Sequence, residues 1–87
     1  MPYRIEVRAS AVKEILSLPE KLAERVQLAI DALSENPRPF GYKKLEGRKG
    51  LFRIRVSDIR IIYAIDDGIK IIEIRNVSNR REIYRKK

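Results

Sequence analysis

Cysteine and histidine are both absent from the 87 residues. Their absence removes disulfides, thiolate nucleophiles, zinc sites of the usual kind and the ordinary imidazole acid or base. Any catalysis must therefore use Arg, Lys, Tyr, Asp or Glu. Long hydrophobic runs are missing too: no stretch approaches the ~18 consecutive apolar residues of a membrane span. The amino terminus carries Arg4, Glu6 and Arg8 where a signal peptide would need an apolar segment. These absences predict a cytoplasmic protein with no membrane anchor, metal or small-molecule cofactor. There is no low-complexity linker, internal repeat or glycine-rich phosphate loop. The length suits one domain over residues 1–87, large enough to bury roughly 60% of its unfolded surface.

Positive charge is what the chain has in excess. Twenty Lys and Arg face twelve acids, a formal net charge of +8 with a pI near 10.1. Such a surplus points to a polyanionic partner, either nucleic acid or an acidic protein. Part of it is local, since Arg75 to Lys87 contains six basic residues and one acid, Glu82.

Tyr3 to Arg8 alternates apolar and charged residues, as a short half-buried strand does. Ser10 is placed to cap a helix starting at Ala11, with Val12, Ile15 and Leu16 on one stripe. Pro19 stops that helix and suits the first turn of a second, followed by Glu20 where the helix dipole favours an acid. Between Glu20 and Glu35, the residues Leu22, Val26, Ala29, Ile30 and Leu33 recur at helical spacing and form a core-facing stripe. "NPRPFGYKKLEG" ends the helix through its two prolines and glycine. A marginal strand over Lys43 to Glu46 and three longer ones follow, at Leu51 to Val56, Ile59 to Ile65 and Ile69 to Asn76. The predicted fold class is α+β, with two helices packed on one face of a small antiparallel sheet.

Two-residue turns at Ser57-Asp58 and Asp67-Gly68 fix an expected register. Val56, Ile54 and Phe52 then face Ile59, Ile61 and Tyr63, while Tyr63 and Ile61 face Ile72 and Ile74. Tyr63 is assigned to the core on this parity, and Tyr3, Phe40, Tyr42 and Phe52 need no functional explanation. The same register sends Arg53, Arg55, Arg60 and Arg75 to the other side of the sheet, with Arg55 opposite Arg60 and Arg60 opposite Arg75. Like charges directly opposite one another are destabilising on the ~0.2–1 kcal/mol scale of cross-strand pairs. Glu73 shares that face, and long aliphatic stems can cover exposed sheet, so a structural role stands beside the functional one. The repulsion favours the latter: an anion site in which guanidinium forks grip phosphate oxygens.

"KKLEG", "LFRIRVSDIRIIYAIDDG" and the closing "RREIY" together resemble the RelE branch of the RelE/ParE toxin superfamily, and the likeness covers essentially the whole chain. The resemblance implies a small basic toxin of a type II toxin-antitoxin system. Its expected partners are a RelB-like antitoxin, the ribosome and messenger RNA, which it would cut as a ribosome-dependent endoribonuclease. It assigns the catalytic basic pair to Arg53 and Arg55, the arginine of the next strand to Arg60, the late basic residue to Arg80 and the terminal tyrosine to Tyr84. Arg75, Arg81, Arg85 and Lys44 become candidate substrate contacts, with Arg80 and Arg81 competing for one role.

RNA cleavage by its own 2′-hydroxyl needs that oxygen deprotonated, the phosphorane's charge stabilised and the leaving 5′-oxygen protonated. Arginine stabilises charge but is a poor proton acceptor. The hairpin pair is often lysine in the family and is arginine here, so the identity of the base stays open. Tyr84 is read as an acid or base, a surface for stacking on a nucleobase, or an aromatic anchor for the carboxyl-terminal tail. Two other functions remain beside RNA cleavage: a ParE-like inhibitor of DNA gyrase and a non-catalytic RNA-binding module.

Overall fold

The computed structural model describes residues 2–47 and 49–79. In chain order the elements are β1 (Arg4–Val7), α1 (Ala9–Leu16), α2 (Glu20–Leu33), β2 (Lys43–Lys44), β3 (Leu51–Val56), β4 (Ile59–Asp66) and β5 (Ile71–Asn79). The strands form one sheet in the order β1-β5-β4-β3-β2. Both helices pack on one face of it, so the α+β architecture is as expected. The sheet is mostly antiparallel, but β1 lies parallel to β5, joined at its ends by Arg4 N–H to the Lys70 carbonyl (2.9 Å) and Arg8 N–H to that of Ile74 (3.0 Å).

Alternation along the strands and helical spacing along α2 converge on one core. Val26, Ile30 and Leu33 of α2 meet Ile54, Ile59, Ile61, Tyr63, Ile72, Ile74 and Val77 of the sheet. Truncating any of these to Ala removes buried methylenes and leaves a cavity, at a typical cost of ~2–5 kcal/mol. The expected stripe on α2 is therefore the one observed, although the helix ends at Leu33 rather than Glu35 and Pro19 sits at its N-cap.

The first helix departs from expectation. It starts at Ala9 with Arg8 as N-cap, so Ser10 lies inside it and makes no cap. Val12 and Leu16 are exposed, while Ala11 is buried and Ile15 packs on the core. The reason is position: this short helix lies along β5 beyond the end of β1, and its Glu14 Oε1 accepts the backbone N–H of Val77 at 2.6 Å. A helix on a sheet edge buries only a narrow stripe.

The first hairpin has the expected register, with Val56 opposite Ile59, Ile54 opposite Ile61 and Phe52 opposite Tyr63. The second does not. Asp66 Oδ1 accepts the N–H groups of Gly68 (3.0 Å) and Ile69 (3.1 Å), which widens the turn to Asp67–Lys70 and delays β5 to Ile71. Tyr63 therefore faces Ile74, and Ile65 faces Ile72. A bulge follows, in which Tyr63 pairs Ile74 but Ile62 pairs Asn76, leaving Arg75 as the extra residue. It turns Val77 into the core, where it faces Ile61. Among the described residues no helix is long and apolar enough to cross a membrane.

Candidate functional site

The face of the sheet away from the helices divides into two halves. On the β3–β4 half, Arg55 lies directly opposite Arg60, and Arg53 lies between Lys43 on β2 and Ile62 on β4. Strict alternation sends all four cations out on one side. Arg53 and Arg60 are partly buried and Arg55 is exposed. Among the described residues, no carboxylate pairs with Arg55 or Arg60.

Arg60 stands out within this group. Its Nε is buried and has no hydrogen-bond partner among the described residues. Leaving a buried donor unsatisfied typically costs ~1–3 kcal/mol, more when it is charged. The donor belongs to the central strand and is flanked by Arg55, an arrangement that complements an oxyanion.

The other half is partly neutralised. Glu73 on β5 accepts Arg8 Nε on Oε2 (3.1 Å) and Arg75 Nη1 on Oε1 (3.2 Å). Arg75 is thus not opposite Arg60, as the two-residue turn implied: the residue facing Arg60 is Ser78. The wider turn and the bulge move Arg75 along the sheet to Glu73. Lys44 pairs with Phe52, which places it on the helix side, and its neighbour Lys43 is the lysine that shares a face with Arg53. Arg80, Arg81, Tyr84 and Arg85 lie outside the described residues.

Sequence reasoning missed three residues at this end of the sheet. Lys43 and Ser78 were hidden by register, the first by the parity of a two-residue strand and the second by the bulge. Phe40 was assigned no role, yet its ring is wholly in solvent at 107% relative exposure. Its loop carries two prolines, a signal of a held rather than a floppy segment.

The opposite end of the sheet is a structural clamp. Arg38 Nη2 and the Tyr3 hydroxyl donate to Asp67 at 2.9 and 2.5 Å, and together they hold its carboxyl below the usual carboxylate range. The Tyr63 hydroxyl donates to the Pro37 carbonyl at 2.8 Å, and burial pushes that phenol up to about 12. Neither group is on the arginine face, and their ionisation reports on folding.

A family model described as the ParE toxin of type II toxin-antitoxin systems (parDE) matches residues 5–84. The chain is 35% identical over 85 residues to Toxin RelE of Mycobacterium tuberculosis, covering 97% of this chain and 88% of that protein. The toxin in the archaeal RelE-RelB complex of Pyrococcus horikoshii superimposes with a TM-score of 0.80 at 34% identity, over 92% of this chain and 97% of that one. The RelBE2 toxin-antitoxin complex of Mycobacterium tuberculosis gives a TM-score of 0.77 at 29% identity, over 92% of this chain and all of that one. Its sequence and its fold together place the chain in the RelE/ParE family of type II toxins, on the RelE-like branch.

Proposed function

We propose that this toxin is a ribosome-dependent endoribonuclease that cuts messenger RNA and is restrained by a RelB-like antitoxin. The observation that carries the catalytic part is the buried, unpartnered Nε of Arg60 at the centre of a face shared with Arg53 and Arg55. A small rotation of the partly exposed side chain brings such a donor to a phosphate, and the charge that grows on its non-bridging oxygens during attack strengthens the contact in the transition state. Arg60 holds the scissile phosphate from the central strand, while Arg55 and Arg53 stabilise the phosphorane from the neighbouring one. Proton transfer falls to a group outside this trio, either Tyr84 or one supplied by the ribosome or the RNA. A flat cationic face without a base-reading pocket positions backbone and leaves sequence choice to the ribosome, because phosphate contacts carry no base information. The antitoxin assignment is supported by the solved RelE-RelB complexes among this chain's relatives.

A second reading, inhibition of DNA gyrase without RNA cleavage, is favoured by the family model's description as a ParE toxin. One experiment separates the two: messenger RNA cleavage with and without ribosomes, run beside a gyrase supercoiling assay. Cleavage only on ribosomes with unaffected supercoiling is the expected result. Intact messenger RNA with inhibited gyrase overturns it.

A further inference from the structure

Phe40 projects from a segment that is otherwise tied down. Pro37 is buried and its carbonyl accepts the Tyr63 hydroxyl, and Arg38 is bound to Asp67 and lies over the Phe52 ring at 5.9 Å. Beyond Phe40, Gly41 takes the left-handed φ of +92° that turns the chain. Tyr42 donates its N–H to the Pro39 carbonyl at 3.0 Å and packs its ring at a 45° tilt against that of Phe52, with centroids 5.8 Å apart. Both shoulders of the loop are thus fixed, and the apolar ring between them is held wholly in water. Apolar exposure on a rigid mount is unfavourable for folding alone.

The ring stands at the lip of a groove of about 520 Å³ between α2 and the edge of β3. Because β2 pairs only with Phe52 and Arg53, the groove reaches round the β3 edge and takes part of its wall from Lys43, Arg53 and Arg55. Among the described residues its remaining lining is apolar or glycine and includes no carboxylate. An aromatic face beside a cationic track is the arrangement that binds single-stranded nucleic acid, with backbone on the cations and an unstacked base on the ring.

We propose that Phe40 is a stacking platform for an unpaired base of the RNA strand whose backbone runs over Lys43, Arg53 and Arg55. The proposal rests on the RNA-cleavage reading for its ligand, and it makes the groove an extension of the arginine face. The charge of the groove selects a polyanion, and a base stack uses the face of a ring that no side chain covers.

The chain has no tryptophan, so Phe40→Trp gives a single-tryptophan protein, excited beyond the absorption of its tyrosines. Its emission is followed while short oligoadenylate RNA is added at low salt, and fluorescein-labelled RNA reports binding to the parent, Phe40→Trp, Phe40→Ala and Phe40→Leu independently. Expected are quenching in Phe40→Trp, RNA affinity lower by on the order of tenfold in Phe40→Ala, an equally weak Phe40→Leu, and one melting temperature for all four. RNA binding by the parent with unchanged tryptophan emission and undiminished affinity in Phe40→Ala overturns the platform and leaves the arginine site standing. Full affinity in Phe40→Leu also overturns it, because apolar bulk would then suffice. A Phe40→Ala variant that keeps its RNA affinity but loses antitoxin binding assigns the ring to a protein interface and overturns it likewise. A parent that fails to bind RNA at any salt overturns the platform as well, while the ribosome cleavage assay tests the RNA-cleavage reading separately.

Discussion

The two halves of the outer sheet face carry similar charges to opposite ends. Around Glu73, two arginines share one carboxylate at 3.1 and 3.2 Å, and each has an anion within the fold. Around Arg60, two arginines face each other across strands with no such partner among the described residues, where a guanidinium nitrogen is buried and unbonded. Both halves belong to one sheet and share the same solvent, so local geometry alone does not force the difference. Cations that fold the sheet bring their anion with them. Cations that find no anion among the described residues point to one that arrives from outside.

The largest expected effect breaks the comparison at its centre. Arg60→Ala should lower ribosome-dependent cleavage by ~10²–10³, the usual cost of losing a preorganised donor to a developing oxyanion. Its melting temperature should stay level or rise slightly, because the substitution relieves repulsion from Arg55. Arg4→Ala, whose partner Glu6 is on its own exposed strand, should change neither measurement. Parental cleavage by Arg60→Ala, or loss of activity only through unfolding, would remove the arginine face from consideration.

The next experiment turns one half into the other. Ser78 faces Arg60, so Ser78→Glu supplies the missing carboxylate. Cleavage should fall by on the order of 10² as the anion site is filled from within. Stability should rise by something like the ~0.2–1 kcal/mol of an opposite-charge cross-strand pair, measurable by urea unfolding. An active Ser78→Glu would show that the phosphate does not bind at this register.

The opposite conversion is smaller. Glu73→Gln leaves Arg8 and Arg75 facing one another without their shared anion, and should destabilise the fold by about 0.5–1 kcal/mol. Cleavage should be unchanged once the protein is compared well below its midpoint. Lost cleavage with intact stability would move the active site toward Arg75.

The smallest effect concerns the clamp. Asp67 has a lowered pKa in the fold because Arg38 and Tyr3 donate to it, so its contribution is present above the usual carboxylate value of 3.8 and is lost as pH falls through the lower folded value. The melting temperature of the parent should therefore drop more steeply on acidification than that of Asp67→Asn. Parallel curves would show that the exposed contact adds nothing to stability.

Most of this face could be read from the sequence because alternation is a strict code. Arg53, Arg55 and Arg60 share parity on strands joined by a true two-residue turn, and the pairing of Arg55 with Arg60 follows. The second hairpin failed on turn chemistry. Asp66 uses its own carboxylate to cap two backbone amides, an option that the Asp67-Gly68 pair concealed. The bulge left a trace that went unread, since Ile72, Ile74 and Val77 break the spacing of two just where Arg75 is extruded. Ser10 looked like a cap and Val12 and Leu16 like a stripe because helical periodicity is silent about which neighbour the helix meets. The exposure of Phe40 depends on contacts far along the chain, to Tyr63 and Asp67, which no local pattern encodes.

The contact between Glu14 and Val77 has a consequence for order in solution. Past the end of β1, the outer edge of β5 has no strand beside it among the described residues, and an amide there would ordinarily exchange its hydrogen with water almost as soon as the edge frayed. A single carboxylate oxygen at 2.6 Å takes the place of the missing strand. The Val77 amide should therefore exchange slowly for an edge position, and Glu14→Ala should release it while amides deep in β4 keep their protection. One side chain then stands in for a strand in protecting this stretch of the β5 edge.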